Sequence, residues 1–226
     1  MTYDKANNKK YAEILKEKYS LDSLPVAIKF VDSIDEIPEG IEKLDEKTRH
    51  CQMVKRASNG EIFYATSNEQ MCKGGSSAIG LEDAPAKVAS GEKYYELGRF
   101  KTMEAAKKTI DEIPKITPQK AGIIYGPYED VDYVPDVVVY FTKPVSGMLT
   151  AQTFVYSEGE KFKPSFAGIQ SVCADVVAGP YMNKKANVSL GCDGSRKAAK
   201  VKDDELVVGI NIENMDDVIS TIEKIF

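Results

Sequence analysis

Four cysteines, Cys51, Cys72, Cys173 and Cys192, are the side chains of this 226-residue sequence best suited to chemistry. A thiolate serves as a nucleophile, a redox group, or a ligand for zinc or an iron–sulfur cluster. The local contexts are His50-Cys51-Gln52, Met71-Cys72-Lys73-Gly74-Gly75, Val172-Cys173-Ala174-Asp175 and Gly191-Cys192-Asp193-Gly194-Ser195-Arg196. None forms a Cys-x-x-Cys pair, so spacing alone does not announce a zinc ribbon or a ferredoxin. Cys173 shares an apolar helical pattern with Val172, Val176 and Val177 and suits a buried thiol. Cys72 and Cys192 instead sit beside glycines and charged residues, where the backbone can approach a ligand closely and turn its N–H groups inward. Cys192 also precedes a helix expected over 193–201, a position that lowers a thiol pKa.

Three chemistries follow. In the first, all four thiolates converge on one [4Fe–4S] cluster, or alternatively on a structural zinc. Lys73 and Arg196 then offset the negative charge, Gly74, Gly75 and Gly194 present N–H groups to the sulfurs, and three roles stay open: electron transfer with a redox partner, sulfur handling, or binding a small substrate at the cluster. In the second, the protein is a non-redox module whose segments 73–77 and 193–196 hold a small anionic ligand, with cysteines that are structural or bind zinc. In the third, Cys72 or Cys192 is the nucleophile of a thiol enzyme. The residues name no reaction.

Other constellations carry less. His50 is the only histidine, which disfavours serine–histidine catalysis and multi-histidine metal sites. It adjoins Cys51 on an expected helix, where neighbouring side chains diverge, and it reads as a surface residue. Asp130, Asp132 and Asp136 lack the glycine and terminal glutamate of a calcium loop. Neither GxGxxG nor GxxxxGK[ST] occurs, so nucleotide-binding loops have no support.

The elements that must position the cysteines alternate between helix and strand, which predicts a mixed α/β fold with helices packed on a mixed sheet. Helices are expected over 7–19, 48–58, 91–97, 102–112, 148–156, 169–177 and from 214 onward. Strands are expected at 24–30, 61–66, 188–190 and 206–212, with 161–166 extended and 35–45 a charged loop or small helix. Residues 121–125 and 136–141 are near-continuous apolar runs, as for strands covered on both faces. The chain reads as a single domain, residues 1–226, with weakly similar halves at 20–100 and 120–212. That echo aligns Gln52 with Gln152 and Cys72 with Cys173, and would bring matching loops together at a seam.

The motif order PVAIKF, CQ, CKGG, LGCDGSR and VVGI resembles the domain of unknown function 169 family of archaea and anaerobic bacteria, over roughly residues 8–225. The resemblance implies a stand-alone soluble protein, often of anaerobes, where an oxygen-sensitive centre survives. It points to Cys51, Gln52, Cys72, Gly74, Gly75, Cys173, Cys192, Gly194 and Arg196. It supplies no activity, and the cluster assignment comes from the cysteines alone.

Composition sets the boundaries. A net charge of -5 and a pI near 5.2 argue against a general nucleic-acid binder. The local basic stretch of Lys184, Lys185, Arg196, Lys197, Lys200 and Lys202 reads as solvated surface. No apolar run reaches the roughly 20 residues that cross a bilayer, and the polar start lacks a signal-peptide core. A cytoplasmic protein is expected, in a reducing compartment where structural disulfides are uncommon.

Overall fold

The computed structural model describes residues 3–226. The chain begins with α1 (Asn8–Lys18), whose Ala12 and Leu15 are buried, and β1 (Val26–Val31) follows. Next come α2 (His50–Ala57), β2 (Phe63–Ala65), the short α3 (Lys73–Ala78), α4 (Ala86–Ala89), α5 (Glu92–Glu96) and α6 (Met103–Glu112). Thr102 caps α6 by accepting from the Ala105 N–H at 3.1 Å, and Pro114 prevents its continuation.

Strands β3 (Gly122–Pro127) and β4 (Val137–Thr142) are buried along their whole length. Helix α7 (Pro144–Glu158) starts on a proline and stops at Gly159, which takes the left-handed conformation (φ 69°) favoured at helix ends. A π-helical segment, Ser171–Ala178, runs into α8 (Gly179–Asn183). Then come β5 (Ala186–Ser189), α9 (Asp193–Ala198), β6 (Leu206–Asn211) and α10 (Met215–Ile225). Asp216 and Asp217 in the first turn of α10 complement its dipole, and Val218, Ile219 and Ile222 are buried beneath it.

The six strands form one antiparallel sheet in the order β2-β3-β1-β4-β6-β5. That order is a palindrome by halves. Strands β1 and β4 pair at the centre with Ala27 opposite Val138, β3 and β6 flank them, and the short β2 and β5 form the edges. Strand alternation gives the sheet two apolar faces. One face, with Ile28, Val139 and Val207, packs against Met53 and Val54 of α2 and Val172, Val176 and Val177 of the π-helical segment. The opposite face, with Ala27, Val138, Tyr140 and Val208, packs against α1, α7 and α10. The architecture is therefore helix–sheet–helix, and burying each of the valine, isoleucine and methionine side chains among these contributes about 1.5–3 kcal/mol.

Three expectations change. The sheet is antiparallel throughout and not mixed. In the 161–166 stretch, Ser165 is clipped beside β5 by the Asn187 amide, which accepts from the Ser165 N–H at 2.9 Å and donates to its carbonyl at 2.7 Å. The segment 169–177 coils as a π-helix from 171. The alignment of Gln152 with Gln52 also fails, because Gln152 is exposed on α7, across the sheet from α2. Strand order instead equates α2 with the π-helical segment, and α3 with α9. In that correspondence Cys51 matches Cys173 and Cys72 matches Cys192.

Candidate functional site

All four cysteines are free and partly exposed, and all four line one cavity of about 350 Å³. They arrive from four separate elements on the same side of the sheet. Cys51 is the second residue of α2 and Cys173 lies in the first turn of the π-helical segment. Cys72 and Cys192 are the residues immediately before α3 and α9, each with extended backbone. The two matched pairs thus come from matched places in the two halves of the sheet.

Glycines let the sulfurs approach backbone. A Cβ on Gly75 would stand 3.4 Å from the Cys173 sulfur and 3.7 Å from that of Cys72, and one on Gly194 would stand 3.6 Å from the Cys192 sulfur. Gly74 lies behind this wall: a Cβ there would meet the Tyr94 hydroxyl at 2.5 Å.

The thiols share one electrostatic environment. Burial pushes Cys51 up to about 12, the neighbouring Cys192 and Cys72 add to the rise, and Arg49 draws it down. Burial also drives Cys173 well above the ordinary thiol range, reinforced by Cys72, Cys192 and Cys51. Burial opposes ionisation of Cys192 too, but hydrogen bonds from Ser171 and Ser195 outweigh it and lower this thiol. The Ser195 N–H donates to Cys192 Sγ at 3.4 Å, and the Ser195 hydroxyl accepts from the Cys192 N–H at 2.9 Å. Bringing four thiols together raises the cost of ionising them unless cations compensate.

The compensating cations are not those expected. Lys73 leaves the cavity and pairs with Glu82 at 2.7 Å. Arg196 turns to the backbone carbonyls of Leu190, Lys202 and Glu205 and braces the loop after α9. Neither lines the cavity, whereas Arg49, Lys93 and Arg99 do. Arg99 is engaged with Asp193 at 2.9 Å, while Arg49 and Lys93 form no ion pair among the described residues. Elsewhere in the basic stretch, Lys184 pairs with Glu213, Lys197 with Asp193 and Lys202 with Asp22, as solvated surface charges do.

His50 is buried, not on the surface. Its Nδ1 lies 2.9 Å from the Tyr125 hydroxyl, and burial lowers its pKa to about 3, so the ring is neutral at ordinary pH. It lines the floor beside Cys51 without forming a nucleophile–base pair.

Tyr94 and Gln170 complete one wall, with the Gln170 amide donating to the Tyr94 hydroxyl at 2.7 Å. Sequence reasoning passed over Gln170, Arg49 and Ser171, gave Tyr94 no role beyond packing, and included Ser195 only within the 193–196 segment. Ser195 had a readable signal, three residues after a cysteine at a helix start, the spacing of a capping box. Gln170 had none. Among the described residues, no group of three or more His, Cys, Asp or Glu side chains is disposed to hold a single metal ion, and no helix is long and apolar enough to cross a membrane.

The profile of the domain of unknown function 169 family, described as uncharacterised ArCR, matches residues 14–221. The chain is 42% identical over 214 residues to the uncharacterised protein MJ0308 of Methanocaldococcus jannaschii, covering 94% of this chain and 92% of that relative. No solved structure matches the chain. The chain belongs to the domain of unknown function 169 family.

Proposed function

We propose that this family member holds one [4Fe–4S] cluster through Cys51, Cys72, Cys173 and Cys192 and acts as an electron carrier of anaerobic metabolism in the cytoplasm. The observation that carries the reading is the convergence of every cysteine in the chain on one cavity, from four elements widely separated in sequence. The donor set is all thiol, the set that suits iron–sulfur clusters. The cavity is far larger than one ion requires. A single zinc draws its ligands to about 2.3 Å from one centre, whereas a cluster brings its own iron and sulfide atoms and fills more of such a cavity.

This chain's residues supply the rest. Arg49 favours the ionised form of Cys51, and Lys93 adds a second cation at the cavity wall, taking the part expected of Lys73 and Arg196. The backbone at Gly75 and Gly194 comes close enough to the sulfurs to shield them without side-chain bulk. When bound, the cluster supplies one-electron chemistry. With every iron thiolate-ligated no position is left open for substrate, which favours electron transfer over binding of a small anionic ligand. A redox partner is then required.

Replacing each cysteine in turn by serine tests the ligand set. Each of C51S, C72S, C173S and C192S is expected to lose most of its bound iron while keeping the fold by circular dichroism. Full iron in any of these folded variants would remove that cysteine from the set.

A second reading has one observation in its favour: Cys192 is the thiol held low, as a nucleophile would be. The groups that bond to it are the Ser171 and Ser195 donors, and the adjacent Asp193 is committed to Arg99 and Lys197. It therefore lacks a general base, which weakens this reading.

A further inference from the structure

Tyr94, on α5, reaches the cysteine cavity from outside the four cysteine-bearing elements. Its hydroxyl oxygen accepts from the Gln170 amide at 2.7 Å, and no acceptor for the phenolic proton is found among the described residues. That proton is consequently free to point elsewhere.

What lies nearby is sulfur. The Tyr94 hydroxyl rests on Gly74, where a Cβ would come within 2.5 Å of it, and the next residue, Gly75, lies against the Cys173 and Cys72 sulfurs. Two consecutive glycines thus let a phenol and two thiols share one turn of backbone. Tyr94 and Cys173 also pack against the same small apolar cluster of Ala78, Ile110, Ile113, Ile169 and Ala174. Burial raises the Tyr94 pKa, the Gln170 hydrogen bond partly reverses this, and Cys173, Cys72 and Cys192 raise it further. The hydroxyl therefore remains a protonated donor across the working pH range.

Gln170 is held there at a cost. It adopts the left-handed backbone region (φ 52°), uncommon for a residue other than glycine and typical of functional positions. It is 8% exposed, and its Oε1 has no hydrogen-bond partner. Exchanging the amide oxygen and nitrogen would leave the nitrogen unpaired instead. The fold tolerates both penalties at the residue that fixes the Tyr94 hydroxyl.

We infer that Tyr94, oriented by Gln170, directs its phenolic hydrogen bond to the cluster's own sulfur, not to a cysteine thiol, and sets the reduction potential of the proposed centre. The inference rests on the cluster reading above. Hydrogen bonds to the sulfurs stabilise the more negative, reduced state and raise the potential.

The test is a redox titration of Y94F and Q170A followed by electron paramagnetic resonance, with iron content and melting temperature measured alongside. Y94F removes one hydroxyl and is expected to keep its iron. Losing one hydrogen bond should weaken the preference for the reduced state about threefold to tenfold. For a one-electron couple that lowers the potential by up to about 59 mV. Q170A, which frees the hydroxyl to rotate, should shift it in the same direction by less. Iron-replete Y94F at the wild-type potential would overturn this inference and leave the cluster reading intact. Wild-type protein that never holds iron would overturn both.

Discussion

At the residue scale, the site is a balance between burial, which opposes thiolates, and a few donors and cations that favour them. Cys192 is lowered by Ser171 and Ser195, whereas Cys51 is pushed up to about 12. In metal-free protein near neutral pH, Cys192 carries far more thiolate than Cys51, and the thiolate is the reactive form. Iodoacetamide should therefore label Cys192 before Cys51 and Cys173, as read by peptide mass spectrometry over time. Equal labelling of Cys51 and Cys192 would contradict this account of the site's electrostatics. Metal uptake must displace the protons that burial retains, so it should strengthen as pH rises. The cysteines, and the glycines beside them, were legible in the sequence because their types and neighbours carry chemistry. The cations were not. Lys73 adjoins Cys72 and Arg196 follows Cys192 by four residues, but side-chain direction decides contact, and they turn away to Glu82 and to backbone carbonyls. His50 misled for a related reason: one polar residue in a short amphipathic helix gives no sign that Tyr125, on β3, meets its Nδ1.

At the element scale, cysteine placement depends on how closely the π-helical segment sits on the sheet. Gly209 of β6 faces it, and a Cβ there would lie 1.7 Å from the Val176 carbonyl oxygen and 2.6 Å from its carbon. Both are backbone atoms, so no rotamer change relieves the clash. G209A should destabilise the protein by about 3 kcal/mol or more, at or beyond the upper end of ordinary overpacking, and displace Cys173. A urea melt with iron analysis checks this. G147A is the control: a Cβ on Gly147 would meet only the end of the Leu206 side chain, at 2.5 Å, and a rotamer shift there should cost about 1 kcal/mol. A G209A protein as stable as wild type would mean the segment is not anchored there. Element types were largely legible, since the apolar runs read at 121–125 and 136–141 mark β3 and β4 and the stripes of α1 and α10 follow from periodicity. The π-helical coil of 171–178 was not, because its apolar pattern equally fits an α-helix.

At the scale of the whole molecule, the palindromic strand order explains why four distant cysteines meet. Matched positions in two similarly connected halves, pairing through β1 and β4, place Cys51 opposite Cys173 and Cys72 opposite Cys192 on one side of the sheet. The sequence carried a trace of this in its two halves, but the residue alignment was out of step. Low identity and the insertions that carry α4–α6 and α7 hid the correspondence that strand order reveals. A site shared between halves should cross-link them, so a bound cluster should also raise the melting temperature. The central claim is tested most directly by a visible absorption spectrum, with iron and sulfide analysis, of protein purified without oxygen. The account predicts a brown protein with a broad sulfide-to-iron absorption band and about four iron and four sulfide per chain. Colourless protein that still binds no iron after anaerobic reconstitution would contradict it.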